Sequence, residues 1–289
     1  MTRTFLIIPR VRVINANAMS APFIIGLPSI TSFMGFTHKL QLDIQEEINR
    51  DIRFLRTGIS IHSFNLRAYK EGSRNLLSIT RNPLKKDGTS PSFVEEAKCN
   101  FEVSIVIEVS GLPVSDNDKL VSRINNSLLG YKVSSGDLLS FKKPFIYSID
   151  LDKYEEVKGL LKKLMLGYVL TERKDLIIKR NNEEKRKNSL DSLLDYLKVF
   201  VHEDKDNIKN HFKIESGWLV PITVGYHGLT TPEENINECR EPKFNHVFCE
   251  SLVTLGEFKL PTTINNIDDF LWKYAYESEK NYFYCTTHN

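Results

Sequence analysis

The sequence predicts an α+β fold in which an antiparallel sheet carries helices on one face. Over residues 100–109 the apolar side chains of Phe101, Val103, Ile105, Ile107 and Val109 recur with a strict period of two, which predicts a strand. Shorter strand-like runs at 145–149 and 167–171 alternate with helical patterns along the chain. The chain has 289 residues, of which 41% are hydrophobic and 26% charged, so it can bury a core. These figures exclude collagen-like, disulfide-stapled and disordered chains.

The first predicted element is a strand at residues 5–14, placed at an edge or half-buried because two arginines interrupt its β-branched run. Residues 15–22 show no period and predict a polar loop. A helix with a serine cap is predicted over 30–42, where apolar side chains recur at helical spacing. Loose alternation predicts further strands at 57–66 and 76–79.

Helices and strands are also predicted over the rest of the chain. In chain order the further elements are helices at 119–129 and 154–165, strands at 218–228 and 244–255, and a short aromatic helix at 268–276. Residues 172–213 are charged, with leucines at helical spacing, and predict an inserted helical unit. The order of elements is that of a ferredoxin-like sheet. We therefore expect a core over 1–171, an insertion over 172–216, and residues 217–289 completing the core.

The charges are nearly balanced overall but unevenly distributed. Lys and Arg number 39 and Asp and Glu 37, a net charge of +2. The segment from Arg67 to Lys86, however, contains six basic residues and only one acidic residue. Asn82-Pro83 and Asp87-Gly88 are turn signals, so Lys85 and Lys86 are expected on a projecting hairpin loop. Arg81, Lys85 and Lys86 can neutralise phosphates, and Asn82 can bond a base or a sugar. A solvated hairpin tip is the alternative.

Catalytic and cofactor motifs are absent from the sequence. No GxxxxGK[ST], GxGxxG or HExxH motif occurs, and the four cysteines form no CxxC pair, so no cofactor and no metal are expected. The N-terminal apolar run is too short for a signal peptide, and no stretch is long enough to cross a membrane, which predicts a cytoplasmic protein. Among seven histidines, His38 and His227 are the candidates for a metal-free ribonuclease base.

Two further segments have features of a nucleic-acid surface. Asn15-Ala16-Asn17-Ala18, with Ser20 ahead of the helix, offers side-chain amides and backbone N–H groups that can hold a phosphate. The alternative is an Asx-turn that only caps the helix. Tyr226 and His227 lie between two glycines and can stack on unpaired bases, or form a tight turn with a buried tyrosine.

Several blocks along nearly the whole chain resemble the Cas-five-type subunit of type I-F CRISPR surveillance complexes. The blocks are residues 15–22, 26–29, 35–41, 80–84, 87–88, 94–97, 217–221, 225–226, Phe248, Glu250 and 255–257. The sequence departs from the family pattern at Phe258 and at 260–263, and shows little similarity over 172–216.

The resemblance implies a fold, a function and partners. The fold would be RNA-recognition-like (repeat-associated mysterious protein, RAMP), with a thumb hairpin at about 67–98. The function would be non-catalytic binding of the 5′ handle of the CRISPR RNA, or crRNA. The partners would be a Cas-eight-type large subunit and a Cas-seven-type backbone subunit, with target DNA met indirectly near its PAM-proximal end. The expected RNA contacts are Asn15, Asn17, Ser20, His38, Arg81, Asn82, Lys85, Lys86, Tyr226 and His227.

Two other functions are compatible with the residues. A metal-independent endoribonuclease on the same fold would cut CRISPR repeat RNA through His38 or His227. A purely structural adaptor would use its basic hairpin to meet an acidic partner.

Overall fold

The computed structural model describes residues 2–78, 84–90, 96–183, 188–203, 209–234 and 241–288. The helices are α1 (Ile30–Glu47), α2 (Asn117–Ser127), α3 (Tyr154–Lys163), α4 (Lys174–Glu183) and α5 (Ser189–Leu197). The strands are β1 (Thr2–Asn17), β2 (Met19–Ala21), β3 (Ile24–Ile25), β4 (Arg53–Leu66), β5 (Ala68–Glu71), β6 (Arg74–Leu77), β7 (Lys98–Ser110), β8 (Lys132–Val133), β9 (Gly136–Ser140), β10 (Phe145–Asp150), β11 (Tyr168–Glu172), β12 (Phe200–Glu203), β13 (Lys209–Phe212), β14 (Trp218–Gly228), β15 (Cys249–Lys259), β16 (Lys273–Glu277) and β17 (Tyr282–Thr286).

A large antiparallel sheet organises the described part of the chain. Its strand order is β16-β17-β14-β15-β11-β4-β7-β1-β9-β8, and β10 pairs with β1. The sheet curls until β16 approaches β4: the backbone N–H of Thr57 donates to the carbonyl of Trp272 (2.8 Å), and the N–H of Trp272 donates to the carbonyl of Thr57 (2.9 Å). Trp272 is fully buried, and its indole N–H donates to the carbonyl of Leu170 (3.2 Å).

Helices cover both faces of this sheet, which differs from the predicted single layer. Leu6 and Ile8 of β1 pack in one core with α1 and α2. Phe5 and Ile7 point to the opposite face, where they pack with Val106 and the leucines of α3. β1 is therefore an interior strand with both faces buried at this point, because β7 and β10 pair with its two edges. The predicted edge position is therefore wrong over residues 5–8, whereas the predicted half-burial is found at residues 11–13, where Arg12 is exposed between two buried valines.

Most predicted elements are confirmed, with shifted ends. The strands at 57–66, 100–109, 145–149, 167–171 and 218–228 correspond to β4, β7, β10, β11 and β14, and the helices at 30–42, 119–129 and 154–165 to α1, α2 and α3. The strand predicted at 244–255 begins later, at Cys249. Residues 76–79 fall partly in β6, which pairs with β5 to form a hairpin that turns at Gly72 (φ +59°).

Two predictions were wrong for identifiable reasons. Residues 15–22 are not a free loop, because β1 continues to Asn17 and β2 follows, with Ala16 and Ala18 fully buried. Residues 268–276 are not one helix: a 3-10 turn at Ile267–Phe270 leads into β16. Trp272 is held by the backbone of β4, a contact that local sequence spacing does not encode.

The middle segment is only partly helical. α4 and α5 pack through Leu176, Ile177, Leu193 and Tyr196 on Leu219 of β14 and Leu255 of β15. β12 and β13 then form a separate antiparallel pair, so the predicted helical unit ends before residue 200. None of the helices among the described residues combines the length and the apolar character needed to span a membrane.

Candidate nucleic-acid interface

Two irregularities in β1 shape the most distinctive polar surface of the sheet. The pairing of β1 with β7 shifts register between Ile8 and Val11 and again between Val13 and Ala16. At these shifts Arg10 (φ +56°) and Asn15 (φ +55°) adopt the left-handed backbone conformation, which is uncommon for residues other than glycine. Bulges of this kind re-aim side chains and are frequent near functional sites.

The surface lies on the sheet face opposite α1. Phe101 packs against Phe33 of α1, with ring centroids 5.9 Å apart, so the alternating residues Asn100 and Glu102 point the other way. Arg12 lies directly opposite Glu102 across the pair β1–β7, and Asn65 opposite Asn100 across β4–β7. We call this surface the arginine face; its members are Arg10, Arg12, Asn15, His62, Asn65, Arg67, Asn100, Glu102 and Lys142.

Hydrogen bonds hold part of the arginine face in place. The Arg67 guanidinium donates to Asn15 Oδ1 (2.5 Å), and the backbone N–H of Asn15 donates to Asn100 Oδ1 (3.0 Å). Arg12, Ser63, Asn65 and Asn100 line a cavity of about 260 Å³ at the centre of the face. Guanidinium and amide groups around such a depression can bond phosphate, sugar and base atoms.

The net charge of the arginine face is positive. Arg10 is neutralised by Glu102, with Arg10 Nη1 2.9 Å from Glu102 Oε1. Within the described residues, Arg12, Arg67 and Lys142 form no ion pair with a carboxylate. Lys142 is held close to this surface because its backbone N–H donates to the carbonyl of Pro9 (2.8 Å). Three cations are thus available to an anionic ligand.

His62 is the titratable group at the edge of the arginine face. Its Nε2 lies 2.7 Å from Ser104 Oγ and its Nδ1 3.0 Å from the carbonyl of Leu166, so the neutral ring carries its proton on Nδ1. Burial lowers the pKa of His62, and the positive charges of Arg10 and Lys142 lower it further. Ser104 is itself buried, so this pair orders the sheet and does not face solvent as a nucleophile and base.

Asn15, Asn17 and Ser20 lie along one path from the arginine face towards β14. Asn15 belongs to the face itself. The backbone N–H of Asn17 donates to the carbonyl of Ser134 (2.8 Å), and its side-chain oxygen accepts from the backbone N–H of Met19 (3.0 Å). Ser20 Oγ accepts from Thr223 Oγ1 (3.1 Å). Asn17 therefore acts as an Asx-type link, and its amide is already engaged.

The remaining predicted contacts are dispersed. His38 is exposed on α1. Tyr226 is 44% exposed on β14, on the side of α1, while His227 Nδ1 lies 3.0 Å from Glu250 Oε1 and its ring meets Tyr282 edge-on. Gly225 and Gly228 lie within the predicted strand, so the alternative of a tight turn with a buried tyrosine at these residues is excluded.

The predicted basic hairpin is described only in part. Arg81 and Asn82 lie outside the described residues. Lys85 and Lys86 are exposed, and a turn follows in which the backbone N–H of Gly88 donates to the carbonyl of Lys85 (2.9 Å), as the Asp-Gly signal predicted.

Sequence reasoning missed most of the arginine face. Arg10, Arg12, His62, Asn65 and Asn100 were not among the predicted contacts. A usable signal was present, since polar residues alternate with apolar ones at 10–13 and at 100–104, and period two places them on one side of the sheet.

The sequence is similar to known proteins along almost its whole length. A family model described as CRISPR-associated protein (Cas_Csy2) matches residues 6–285. The chain is also 27% identical over 313 residues to the CRISPR-associated protein Csy2 of Pseudomonas aeruginosa (strain UCBPP-PA14), an alignment that covers 98% of this chain and 94% of that protein.

Proposed function

Because the chain belongs to the Csy2 family of CRISPR-associated proteins, we propose that it is a subunit of a type I-F CRISPR effector complex and binds the 5′ handle of the crRNA. The observation that carries this proposal is the arginine face. It combines three cations without carboxylate partners, within the described residues, and amide side chains around a cavity of about 260 Å³. Such a set suits a single RNA strand whose phosphates and base edges are both accessible.

The geometry favours recognition of a fixed strand over catalysis. Asn15 is hydrogen-bonded to both Arg67 and Asn100. These side chains are therefore already in position before the ligand binds. The two β1 bulges fix Arg10 and Asn15 in strained conformations that the surrounding sheet maintains. Asn17, Ser20, His38, Lys85, Lys86, Tyr226 and His227, with Arg81 and Asn82, remain proposed contacts beyond this face.

An exposed aromatic surface supports assembly with the large subunit. Tyr168, Trp218 and Phe258 form a chain of ring contacts, with centroids 5.3 Å and 4.9 Å apart. Together with Phe64 they line an apolar cavity of about 210 Å³, and Trp218 is 54% exposed. Aromatic residues around a pocket are typical anchors of protein interfaces. We propose the large and backbone subunits as partners, with target DNA met indirectly.

Co-purification from the native cell tests the proposal. Wild-type protein should carry a short RNA with a constant 5′ end, visible as a raised absorbance ratio and by sequencing. The double variant Arg12→Ala/Arg67→Ala should lose most of this RNA, whereas Lys119→Ala on α2, which removes a cation paired with Asp116, should retain it. An RNA-free preparation of the wild type with its partners present would contradict RNA binding and favour the adaptor function.

Ribonuclease activity is tested separately. Repeat RNA incubated with the protein in EDTA should remain intact if the subunit only binds. Cleavage that disappears in His38→Ala or His227→Ala would establish the endoribonuclease alternative.

A further inference from the structure

β16 lies at one edge of the large sheet. Its inner side pairs with β17 from Lys273 to Glu277 without a register shift. Within the described residues its outer side has no strand partner, and the nearest bridge to another strand is the one from Trp272 to Thr57 of β4, just before β16 begins. An unpaired edge is a template for a further strand, so natural proteins usually cover or interrupt such edges.

The backbone groups of Tyr274 and Tyr276 point outwards from this edge. Along a strand, the N–H and C=O of one residue point to the same side, and those of the next residue to the opposite side. Trp272 exchanges both of its backbone hydrogen bonds with Thr57 (2.8 and 2.9 Å), on the side away from β17. Two and four residues later, Tyr274 and Tyr276 therefore also turn their backbone groups away from β17.

The pairing of β17 with β14 leads to the same assignment. The carbonyl of Asn281 accepts from the N–H of Gly228 (2.9 Å) and so points to β14. Because the two groups of a trans peptide unit point in opposite directions, the N–H of Tyr282 points to β16. Two residues further along β17, Tyr284 also turns its backbone groups to β16, where it lies opposite Ala275. The residues on either side of Ala275 therefore direct theirs to the outer edge.

The side chains of Tyr274 and Tyr276 lie on the side of α1. Tyr274 is opposite Cys285, which is buried in the core with α1, and Tyr276 is opposite Phe283, with ring centroids 4.6 Å apart. With Tyr226 they line a groove of about 620 Å³, which we call the tyrosine groove. Tyr274 is 57% and Tyr276 58% exposed, and none of the described residues that line the groove is charged. The groove therefore suits apolar side chains better than a charged ligand.

We infer that β16 binds an extended segment of another polypeptide as an additional strand, with apolar side chains of that segment in the tyrosine groove. Tyr274 and Tyr276 each offer one backbone N–H and one C=O to it, and their rings contact its alternate side chains. The polypeptide is another subunit of the complex. The inference thus rests on the proposed subunit role but not on RNA binding at the arginine face.

The tyrosine groove is separate from the aromatic surface proposed for the large subunit. Trp218 begins β14, and Tyr226 lies near its other end, about 25 Å away at the usual rise of a strand. A substitution in the groove therefore leaves the aromatic surface intact.

Residue-resolved hydrogen exchange compares the isolated full chain with the complex purified from the native cell. In the isolated chain the amides of Tyr274 and Tyr276 should exchange almost as fast as in an unstructured chain, and in the complex at least about tenfold more slowly. The amide of Ala275, which faces β17, is the internal control and should be protected in both states.

Substitutions at Tyr276 separate the backbone from the ring. Tyr276→Pro removes the outward N–H and the ring without removing a hydrogen bond to β17, and edge strands tolerate proline. It should lower the amount of one co-purified subunit per chain by about tenfold, Tyr276→Ala by about threefold, and Tyr276→Phe by less than about twofold. Tyr154→Ala on α3, another exposed tyrosine (67%), is the matched control and should have no effect.

Three results would overturn the inference. One is equal exchange of the Tyr274 and Tyr276 amides in the isolated chain and in the complex, a measurement that needs no variant to fold. Another is retention of every subunit by a folded Tyr276→Pro variant. The third is slow exchange in an isolated chain that light scattering shows to be a dimer, because the added strand would then belong to a second copy of this chain.

Failure of the arginine-face proposal is distinguishable from failure at β16. If RNA does not bind the arginine face, Arg12→Ala/Arg67→Ala retains its RNA, whatever Tyr276→Pro does. Conversely, a wild-type chain that carries RNA but no other subunit would overturn the inference about β16 and leave RNA binding standing.

Discussion

The charges of the arginine face predict that substitutions at Arg12 and Glu102 change the salt dependence of RNA binding in opposite directions. Arg12 lies across from Glu102 and has no carboxylate partner among the described residues, whereas Arg10 is paired with Glu102 at 2.9 Å. Replacing Arg12 by alanine therefore removes a cation that is available to RNA. Replacing Glu102 by glutamine releases Arg10 and adds one.

The magnitude follows from counterion release. Three available cations, Arg12, Arg67 and Lys142, give a slope of log affinity against log salt of about −2 for a single strand. Arg12→Ala should reduce it to about −1.4, and Glu102→Gln should steepen it to about −2.8. Between about 50 and 200 mM chloride the affinity should fall by about 18-fold for the wild type, about 7-fold for Arg12→Ala and about 50-fold for Glu102→Gln.

Fluorescence anisotropy with labelled RNA of the repeat sequence measures these slopes on RNA-free protein. Lys119→Ala, which removes an exposed cation paired with Asp116, is the matched control and should leave the slope at the wild-type value. A Glu102→Gln slope equal to or shallower than that of the wild type would contradict the contact of the released Arg10 with RNA, and a wild-type slope in Arg12→Ala as well would show that RNA does not contact this face.

Three further predictions concern stability and pH. Glu108→Gln leaves Arg3 and Arg56 with fewer balancing charges in a largely buried cluster, so it should lower the free energy of unfolding by about 3 kcal/mol in urea titrations; a loss near zero would contradict this. Since the pKa of His62 is lowered in the fold, its stabilising effect is present above the usual value of 6.5 and is lost as pH falls below it. Urea midpoints should fall between about pH 7.5 and 5.5, and less steeply in His62→Gln; parallel profiles would refute this. Gly225→Ala places a Cβ against the backbone of β17 and should cost about 1–3 kcal/mol, so an unchanged melting temperature would count against this close approach.

The sequence predicted correctly those helices and strands in which apolar residues recur at the spacing of the element. The odd-numbered residues 101–109 of β7 pack in the core under α1, and Leu120 and Ile124 of α2, one helical turn apart, pack in the same core. The strand at 218–228 was predicted to its last residue, although it contains Pro221.

Long-range contacts account for what local pattern missed. Ala16 lies against Gly136 of β9, and Asn17 bonds Ser134 in the preceding turn, so a stretch without period became strand. Period two at 10–13 and 100–104 marked part of the arginine face, but the two bulges of β1 that complete it at Arg10 and Asn15 depend on pairing with β7 and have no local signal.

The meeting of Thr57 with Trp272 has a consequence for biosynthesis. The ribosome synthesises Thr57 of β4 long before Trp272, which covers it. The apolar core beside β4 is therefore exposed to solvent through most of translation. Nascent chains of this protein should thus be unusually dependent on holding chaperones or on early docking of another subunit. A stop codon before Trp272 should yield insoluble protein, because the truncated chain lacks the tryptophan that covers the core beside β4.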